Sequence, residues 1–192
     1  MLPNKKLSWP AYYRNRLNAR YEWHIRTRYK YMINRIAREM GDFSVVLEAG
    51  AGIGSITKQL IRFDNTKRYM LLDNSNDMIE LSRRNLTEEV KSVTINHILH
   101  DIRYPIGLHE KVLIHSHGVL EHFSDDDINN ILKHQINSSE LIFHYVPSDK
   151  YQYQSFGDER LMSPAEWSDI CRPDAIEEFN DGYDLLLVWD RR

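Results

Sequence analysis

The hydrophobic pattern of the chain changes near Gly41. Before this residue, aromatic and apolar positions recur at steps of three and four, with Arg and Lys between them, as in amphipathic helices. The recurring positions are Tyr13, Leu17, Tyr21, His24, Arg28 and Tyr31. The pattern predicts one or two helices over residues 10–39, and Gly41 is a plausible helix stop.

Beyond Gly41, short apolar runs alternate with segments of helical character. The predicted strands are Phe43–Glu48, Arg68–Asp73, Thr94–Leu99, Val112–His117 and Leu141–Val146. The predicted helices are Ser55–Phe63, Asp77–Leu86 and Asp125–Ile136. Because strands alternate with helices, the pattern favours an α/β fold with a parallel sheet and helices on both faces.

The C-terminal segment departs from this alternation. Ser163 followed by proline has the order of an N-cap and a first helical residue. An Asn-Asp-Gly sequence at 180–182 separates two apolar runs, as in a β-hairpin. The predicted elements are a helix Pro164–Cys171 and strands Ala175–Phe179 and Leu185–Trp189. A helix and a hairpin would complete the sheet with antiparallel strands.

Length and composition fit one globular domain. The chain has 192 residues, 42% hydrophobic and 28% charged, with no apolar run of the about 18 residues that cross a membrane. We predict a single domain over 1–192, with residues 1–41 as an N-terminal helical cap or lid and residues 42–192 as the core. The N-terminus lacks the apolar stretch of a secretory signal. A single cysteine, Cys171, excludes an internal disulfide, and we expect a reducing compartment, the cytoplasm.

Charge is unevenly distributed along the chain. Residues 1–40 contain ten Lys and Arg against two Glu, whereas the remainder contains 15 Lys and Arg against 26 acids. Such a basic arm either contacts an anionic partner or packs its basic face against the acidic body. No Gly/aromatic RNA-binding signature accompanies the charges, which favours the second interpretation.

A glycine-rich turn follows the first predicted strand. Gly50, Gly52 and Gly54 form a G-x-G-x-G pattern, and Glu48 precedes it by two residues. The dinucleotide fingerprint G-x-G-x-x-G would instead have its third glycine at Ser55. The turn therefore indicates a nucleotide site of a different kind, or a tight strand-to-helix connection without a ligand.

Acids at the next two strand ends indicate the ligand. Asp73 follows Gly54 by nineteen residues, where an acid accepts hydrogen bonds from ribose hydroxyls, and no arginine lies beside it to hold a 2′-phosphate. Asp101 can accept from an adenine amino group, with Ile102 packed on the ring. Together with Glu48, these carboxylates would repel a pyrophosphate, so they favour a nucleoside with a cationic tail, such as S-adenosylmethionine.

At this point the chain resembles the class I S-adenosylmethionine-dependent methyltransferases. The matching segments are Glu48-x-Gly50-x-Gly52-x-Gly54, Leu71-Leu72-Asp73-x-Ser75-x-x-Met78, His100-Asp101 and Gly118-Val119-Leu120-Glu121-His122-Phe123. The similarity covers residues 43–146 in order and spacing. It implies a Rossmann-like, seven-stranded sheet of order 3-2-1-4-5-7-6, in which only the seventh strand is antiparallel.

The resemblance also implies a cofactor site for S-adenosylmethionine, with S-adenosylhomocysteine as the product. It implies that the glycines contact the methionine part, that Asp73 holds the ribose, and that Asp101 takes the adenine amino group. Met78 lies near the adenine or simply faces the core. The predicted cofactor-binding residues are Glu48, Gly50, Gly52, Gly54, Asp73, Asn74, Met78, Asp101, Ile102 and His117.

The fourth-strand region carries the candidate catalytic residues. His115 and His117 share a strand face, and Glu121 and His122 follow in the loop. Three roles are open for this cluster: a wall of the cofactor pocket, a general base at His122, or metal ligands. We predict Glu121 and His122 as catalytic residues and assign no metal ligand.

Aromatic residues in two segments are predicted to bind the substrate. Tyr151, Tyr153 and Phe156 would flank a planar molecule, and Arg160 would hold an anionic group or pair with its neighbour Glu159. From the cap, Tyr13 and Tyr21 would close the same crevice, although at least half of the cap aromatics are expected to serve core packing.

We therefore predict a methyltransferase that acts on a small molecule, at oxygen or nitrogen, by direct displacement at the methyl carbon. Three alternatives stay open: methylation of nucleic acid or protein docked by the basic arm, a non-catalytic partner protein that binds S-adenosylmethionine, and an NAD-dependent oxidoreductase. We expect a monomer or dimer without membrane attachment.

Overall fold

In the computed structural model, residues 8–108, 110–155 and 158–192 are described. The strands are β1 Val45–Ala49, β2 Arg68–Asp73, β3 Thr94–Leu99, β4 Val112–His117, β5 Leu141–Pro147, β6 Ala175–Phe179 and β7 Asp184–Asp190. The helices are α1 Trp9–Tyr13, α2 Ala19–Arg28, α3 Lys30–Glu39, α4 Ser55–Leu60, α5 Asn76–Asn85, α6 Asp125–Ile136 and α7 Pro164–Cys171. Short 3₁₀ turns follow α3, α5 and β4.

All seven strands form one sheet of order β3-β2-β1-β4-β5-β7-β6. Neighbouring strands from β3 to β5 pair in parallel, whereas β7 is antiparallel to both of its neighbours. The predicted Rossmann-like fold is therefore confirmed. The strand order reverses between β1 and β4, and a sheet of this kind binds ligands beyond the carboxyl ends of its strands at such a point.

Successive side chains along each strand point to opposite faces of the sheet, so the sheet has a hydrophobic core on each face. On β1, Val46 faces the core beneath α2, α3 and α4, whereas Val45 and Leu47 face the core beneath α6 and α7. Trp167 and Trp189 are fully buried in the second core. With both faces covered, the central strands are buried and mostly apolar, with polar residues such as Glu48 and His117 towards their carboxyl ends.

The N-terminal segment forms three helices where one or two were predicted. The Asn18 side chain accepts the backbone N–H of Tyr21 at 3.0 Å and caps α2, which explains the break after α1. Tyr29 has non-helical backbone angles and separates α2 from α3. No helix among the described residues is long and apolar enough to cross a membrane.

Some cations of the basic N-terminal arm contact the acidic remainder of the chain, and others do not. Arg28 on α2 pairs with Asp184 at the start of β7 at 3.0 Å, and Arg35 on α3 pairs with Glu177 on β6 at 3.0 Å. These contacts agree with the interpretation in which the arm packs against the body. The outer face of α2 does not take part in them.

Candidate functional site

A cavity of about 720 Å³ opens beyond the carboxyl ends of β1, β2, β3 and β4, and its size is typical of a small-molecule site. The loops after these four strands form its floor and walls, and α1 and α2 of the cap contribute Trp9, Tyr13 and Tyr21. The lining includes nine of the ten predicted cofactor-binding residues. They are Glu48, Gly50, Gly52, Asp73, Asn74, Met78, Asp101, Ile102 and His117.

Gly54, the remaining residue predicted to bind the cofactor, does not line the cavity. It has φ +70°, and a Cβ there would come within 2.6 Å of Leu71 and 2.9 Å of Leu86. Its role in the structure is the close packing of the start of α4 against β2 and α5, rather than contact with a ligand.

Gly50 allows the loops after β1 and β4 to approach each other. Its φ is +66°, and a Cβ would lie 2.7 Å from a side-chain carbon of Val119. Any other residue would therefore separate the two loops that carry the cofactor-binding and candidate catalytic side chains.

Asp73 connects the glycine loop to α5. One carboxylate oxygen accepts the N–H of Gly52 and the other accepts the N–H of Ser75, both at 2.9 Å. Burial raises its pKa, while these backbone hydrogen bonds lower it in part. Because each carboxylate oxygen has a further acceptor position, Asp73 can still accept two hydroxyls, as a ribose would require.

Asp101 lines the same cavity but has a partner that the sequence did not indicate. The Arg103 guanidinium binds both of its oxygens, with Nε at 3.1 Å from each, and lowers the pKa of Asp101. Asp101 is therefore an anion at neutral pH. Ile102 and Met78 are buried on the cavity wall, and Met78 also packs with Ile53 in a small core.

Glu48 is buried at the base of the glycine loop. One of its carboxylate oxygens accepts the hydroxyl of Thr57 at 2.6 Å and the backbone N–H of the same residue at 3.2 Å. Burial raises the pKa of Glu48 to about 7, against the lowering effect of Thr57. Glu48 thus fixes the start of α4 to β1 and can accept or hold a proton near neutral pH.

His122 faces the aromatic end of the cavity. Its Nδ1 lies 3.0 Å from a carboxylate oxygen of Asp158, and the Trp9 ring meets it edge-on at 5.4 Å. A carboxylate acceptor favours the tautomer in which Nδ1 carries the proton, so Nε2 is left as an acceptor. Asp158 was not predicted as a site residue, because it lies 36 residues from His122 along the chain.

The predicted catalytic residue Glu121 lies behind the cavity wall rather than in its lining. It is 3% exposed, and one carboxylate oxygen has no hydrogen-bond partner among the residues that the structure describes. Burial, with the charges of Glu159 and Asp158, raises the pKa of Glu121 to about 8. Glu121 is therefore largely neutral at pH 7 and does not contact the space in which a reaction would occur.

His117 is held between aromatic rings at the cavity floor. Its ring stacks on Tyr145 at 4.6 Å, and Tyr29 meets it edge-on at 4.1 Å. Burial lowers the pKa of His117 to about 4, so it is neutral. His115, two residues earlier, is fully buried. Among the described residues, no group of three or more His, Cys, Asp or Glu could hold a metal ion.

Two of the predicted substrate contacts lie in the cavity and three do not. Tyr13 and Tyr21 line it. Tyr151 instead donates its hydroxyl to the buried carboxylate of Asp184 at 2.6 Å, Tyr153 is 83% exposed, and Arg160 pairs with Asp125. The structure does not support the predicted substrate contacts of these three residues, because their side chains contact other residues or solvent and do not line the cavity. Phe156 lies outside the described residues.

The charged side chains that line the cavity indicate which class of ligand it can bind. Four acids line the cavity, namely Glu48, Asp73, Asp101 and Asp158, whereas no Lys or Arg is found among the described residues of its lining. A pyrophosphate would face the carboxylates of this lining, while Arg103, which is not part of the lining, is already paired with Asp101. These acceptor groups suit a ligand with a cationic centre and hydroxyl or amino donors.

Comparison with known proteins agrees with this geometry. Residues 46–138 match the sequence model of a methyltransferase domain. No curated protein matches the chain in sequence. Among solved structures, the chain is similar to the PH0226 protein from Pyrococcus horikoshii OT3, with 15% identity and a TM-score of 0.72 over 94% of this chain and 98% of that one.

Two larger enzymes share the fold. Human N-acetylserotonin methyltransferase, solved with S-adenosylmethionine, is 12% identical with a TM-score of 0.66. The O-methyltransferase NcsB1 from neocarzinostatin biosynthesis, solved with S-adenosylhomocysteine and 1,4-dihydroxy-2-naphthoic acid, is 11% identical with a TM-score of 0.70. The alignments cover 100% and 88% of this chain but only 61% and 55% of those proteins. The chain thus spans little more than half their length. Together, the structural matches confirm the predicted fold, and the sequence model identifies a methyltransferase domain over residues 46–138.

Proposed function

We propose that this class I S-adenosylmethionine-dependent methyltransferase methylates a hydroxyl group on a small planar molecule. The observation that carries the proposal is the His122–Asp158 pair at the aromatic end of the cavity. The end lined by Glu48, Asp73 and Asp101 is left for the cofactor.

The residues at the cofactor end fit S-adenosylmethionine. Asp73 has free acceptor positions for the ribose hydroxyls, and Asp101 is an anionic acceptor for the adenine amino group. The acidic lining favours the ammonium and sulfonium groups, and the bound cofactor supplies an electrophilic methyl carbon. A neutral His117 adds no positive charge beside that sulfonium.

His122 acts as the general base in this proposal. Asp158 accepts a hydrogen bond from Nδ1–H and holds the ring, so that Nε2 can take the proton of an acceptor hydroxyl. The deprotonated oxygen would be the nucleophile towards the methyl group that a bound cofactor would supply, with S-adenosylhomocysteine as the leaving group. Orientation by a carboxylate also stabilises the imidazolium that forms. Alignment of the acceptor and exclusion of water supply the remainder of the rate enhancement.

The acceptor end is suited to a flat molecule. Trp9 and Tyr13 stack at 6.0 Å, and Tyr21 meets Tyr13 edge-on at 6.2 Å. All three rings line the cavity, so they offer an apolar wall opposite the loops of the core. In this proposal the cap forms one side of the acceptor subsite.

Methyl transfer from labelled S-adenosylmethionine to extract fractions tests the proposal. Small-molecule, nucleic-acid and protein pools are offered separately, and we expect label in hydroxyl-bearing small molecules. His122→Gln should lower kcat by about 100-fold or more with little change in cofactor affinity. The control His134→Gln, whose side chain is not in the lining of this cavity, should retain activity. Label confined to nucleic acid or protein would contradict the proposed acceptor, and full activity of His122→Gln would contradict the base.

A further inference from the structure

The outer face of α2 is exposed and basic. Arg20, Trp23, Arg26 and Thr27 are exposed, and Lys30, which is also exposed, follows shortly after the helix end. Successive residues of a helix are rotated by about 100°, which centres Trp23 on this face with cations on both sides. The Trp23 side chain is 58% exposed, unlike Tyr21, which α2 presents to the cavity.

The cations of this face have no partner within the part of the chain that the structure describes. Within the described residues, Arg20, Arg26 and Lys30 form no ion pair and no side-chain hydrogen bond. Glu22, the only acid of α2, is turned away towards Lys58 and Arg62 on the side of α4. The arm therefore divides its charges: some cations hold the cap on the body, and others are free for an anionic partner.

We propose that the outer face of α2 binds single-stranded nucleic acid. Trp23 stacks on a base, and Arg20, Arg26 and Lys30 contact phosphates on either side of it. An aromatic platform within a basic surface is the arrangement by which proteins bind single strands without reading sequence. The positive face and the negative strand are complementary in charge.

Two other partners fit the face less well. A membrane-bound helix buries a broad apolar face, whereas Trp23 is the only large apolar side chain on this described surface. A protein interface surrounds its central aromatic residue with contacts that exclude water, but the neighbours of Trp23 on this face of α2 are the small residues Ala19 and Thr27 and two cations. A single exposed ring with cations on both sides is sufficient to stack on one base while the cations contact the flanking phosphates.

The bound strand is a docking partner rather than the methyl acceptor. Tyr21 and Trp23 lie about 200° apart around the helix, and Tyr21 lines the cavity. A base stacked on Trp23 therefore lies outside the reaction space. The proposal is independent of small-molecule methylation, and binding and activity report on the two separately.

Fluorescence polarisation with a labelled oligouridine of about twelve nucleotides tests the proposal. Trp23→Ala should weaken binding at least about fivefold but leave heparin binding unchanged, because heparin has charge without bases. The double variant Arg20→Gln/Arg26→Gln should weaken both ligands and lower the salt slope for the oligonucleotide by about 0.7 for each phosphate interaction that it removes. Arg84→Gln/Lys133→Gln, which removes two exposed cations elsewhere, is the matched control.

The same assay can overturn the proposal. No oligouridine binding by the native chain at low salt, or equal affinities of the native chain and Trp23→Ala, would refute base stacking at this face. Stronger binding to an acidic peptide or to anionic vesicles than to oligouridine would assign the face to another partner. A thermal melt of each variant shows whether a loss of binding is due to unfolding. We expect unchanged melting temperatures, because all of the substituted side chains are exposed.

Discussion

At the scale of single residues, surroundings give similar carboxyl groups different charges. Glu48 and Glu121 are buried, and burial raises their pKa values to about 7 and about 8. Asp101 lies beside Arg103, which lowers its pKa. These three acids near the cavity thus divide into one that stays ionised and two that hold protons near neutral pH. This division determines which of them can attract a cationic ligand.

Glu121→Gln should alter the pH dependence of stability. The folded-state pKa of Glu121 is about 8 against an ordinary value of 4.5, so the folded protein binds the proton more tightly. The stabilisation by protonated Glu121 is complete below pH 4.5. It is lost as the pH rises to about 8, and the free energy of unfolding falls by on the order of 1 kcal/mol for each pH unit in this window. Gln cannot ionise, so the variant should gain stability over the native chain across this window.

Urea unfolding at several pH values measures this gain. Glu140→Gln is the control, because Glu140 is a half-exposed side chain paired with Lys111 at the surface, and its curve should stay parallel to that of the native chain. Parallel curves for Glu121→Gln and the native chain would show that Glu121 is ionised in the folded protein.

Site residues could be predicted from the sequence where they lie at the carboxyl end of a predicted strand. Asp73 and Asp101 end or follow parallel strands, so their convergence at one cavity is a consequence of the fold. Asp158 is in a long connection after β5, and its contact with His122 depends on the path of that connection. Neither periodicity nor spacing encodes this path, and for the same reason the substrate contacts predicted for Tyr151 and Arg160 are not supported.

At the scale of elements, α2 links the cap to the far side of the sheet. Its first half contacts α4 through Glu22, and its last residue, Arg28, reaches Asp184 at the start of β7. Asp184 is fully buried and also accepts hydrogen bonds from Tyr145 and Tyr151. The helix that forms one wall of the cavity is therefore anchored by a buried carboxylate.

Arg28→Ala should destabilise the protein by about 1–3 kcal/mol, because it leaves a buried carboxylate with fewer donors. Urea unfolding measures the change. Arg26→Ala, on the outer face of the same helix, should change stability by less than about 0.5 kcal/mol. Equal effects of the two substitutions would mean that helix propensity, and not the pair with Asp184, determines the loss.

The limits of several elements agree with prediction, namely β2, β3, β4, β6, α6 and α7. Buried runs define β2 and β4, and serine N-caps define the starts of α6 and α7. The strands β3 and β6 are largely not buried, so turn residues and sequence alternation, rather than burial, made their limits predictable. The cap was predicted less well, because its breaks depend on Asn18 as an N-cap and on the backbone at Tyr29. Helical periodicity continues through both positions, so it does not reveal them.

At the scale of the whole molecule, the chain separates its charges between two surfaces. Acids collect in the cavity, where the described lining contains no Lys or Arg, while unpaired cations collect on the outer face of α2. A net charge of −3 conceals this separation. The two surfaces should therefore discriminate between ligands of opposite sign, and the cavity should reject dinucleotides despite its glycine loop.

Ligand-dependent stability tests this discrimination. S-adenosylhomocysteine at about 100 times its Kd should raise the free energy of unfolding by about 2.7 kcal/mol, whereas NAD at the same concentration should add nothing. Asp73→Ala should remove most of the effect, because the ribose loses its acceptor, and Asp169→Ala, an exposed acid on α7, should retain it. Thermal or urea unfolding with each ligand gives the values. Stabilisation by NAD equal to that by S-adenosylhomocysteine would mean that the carboxylates do not determine cofactor choice.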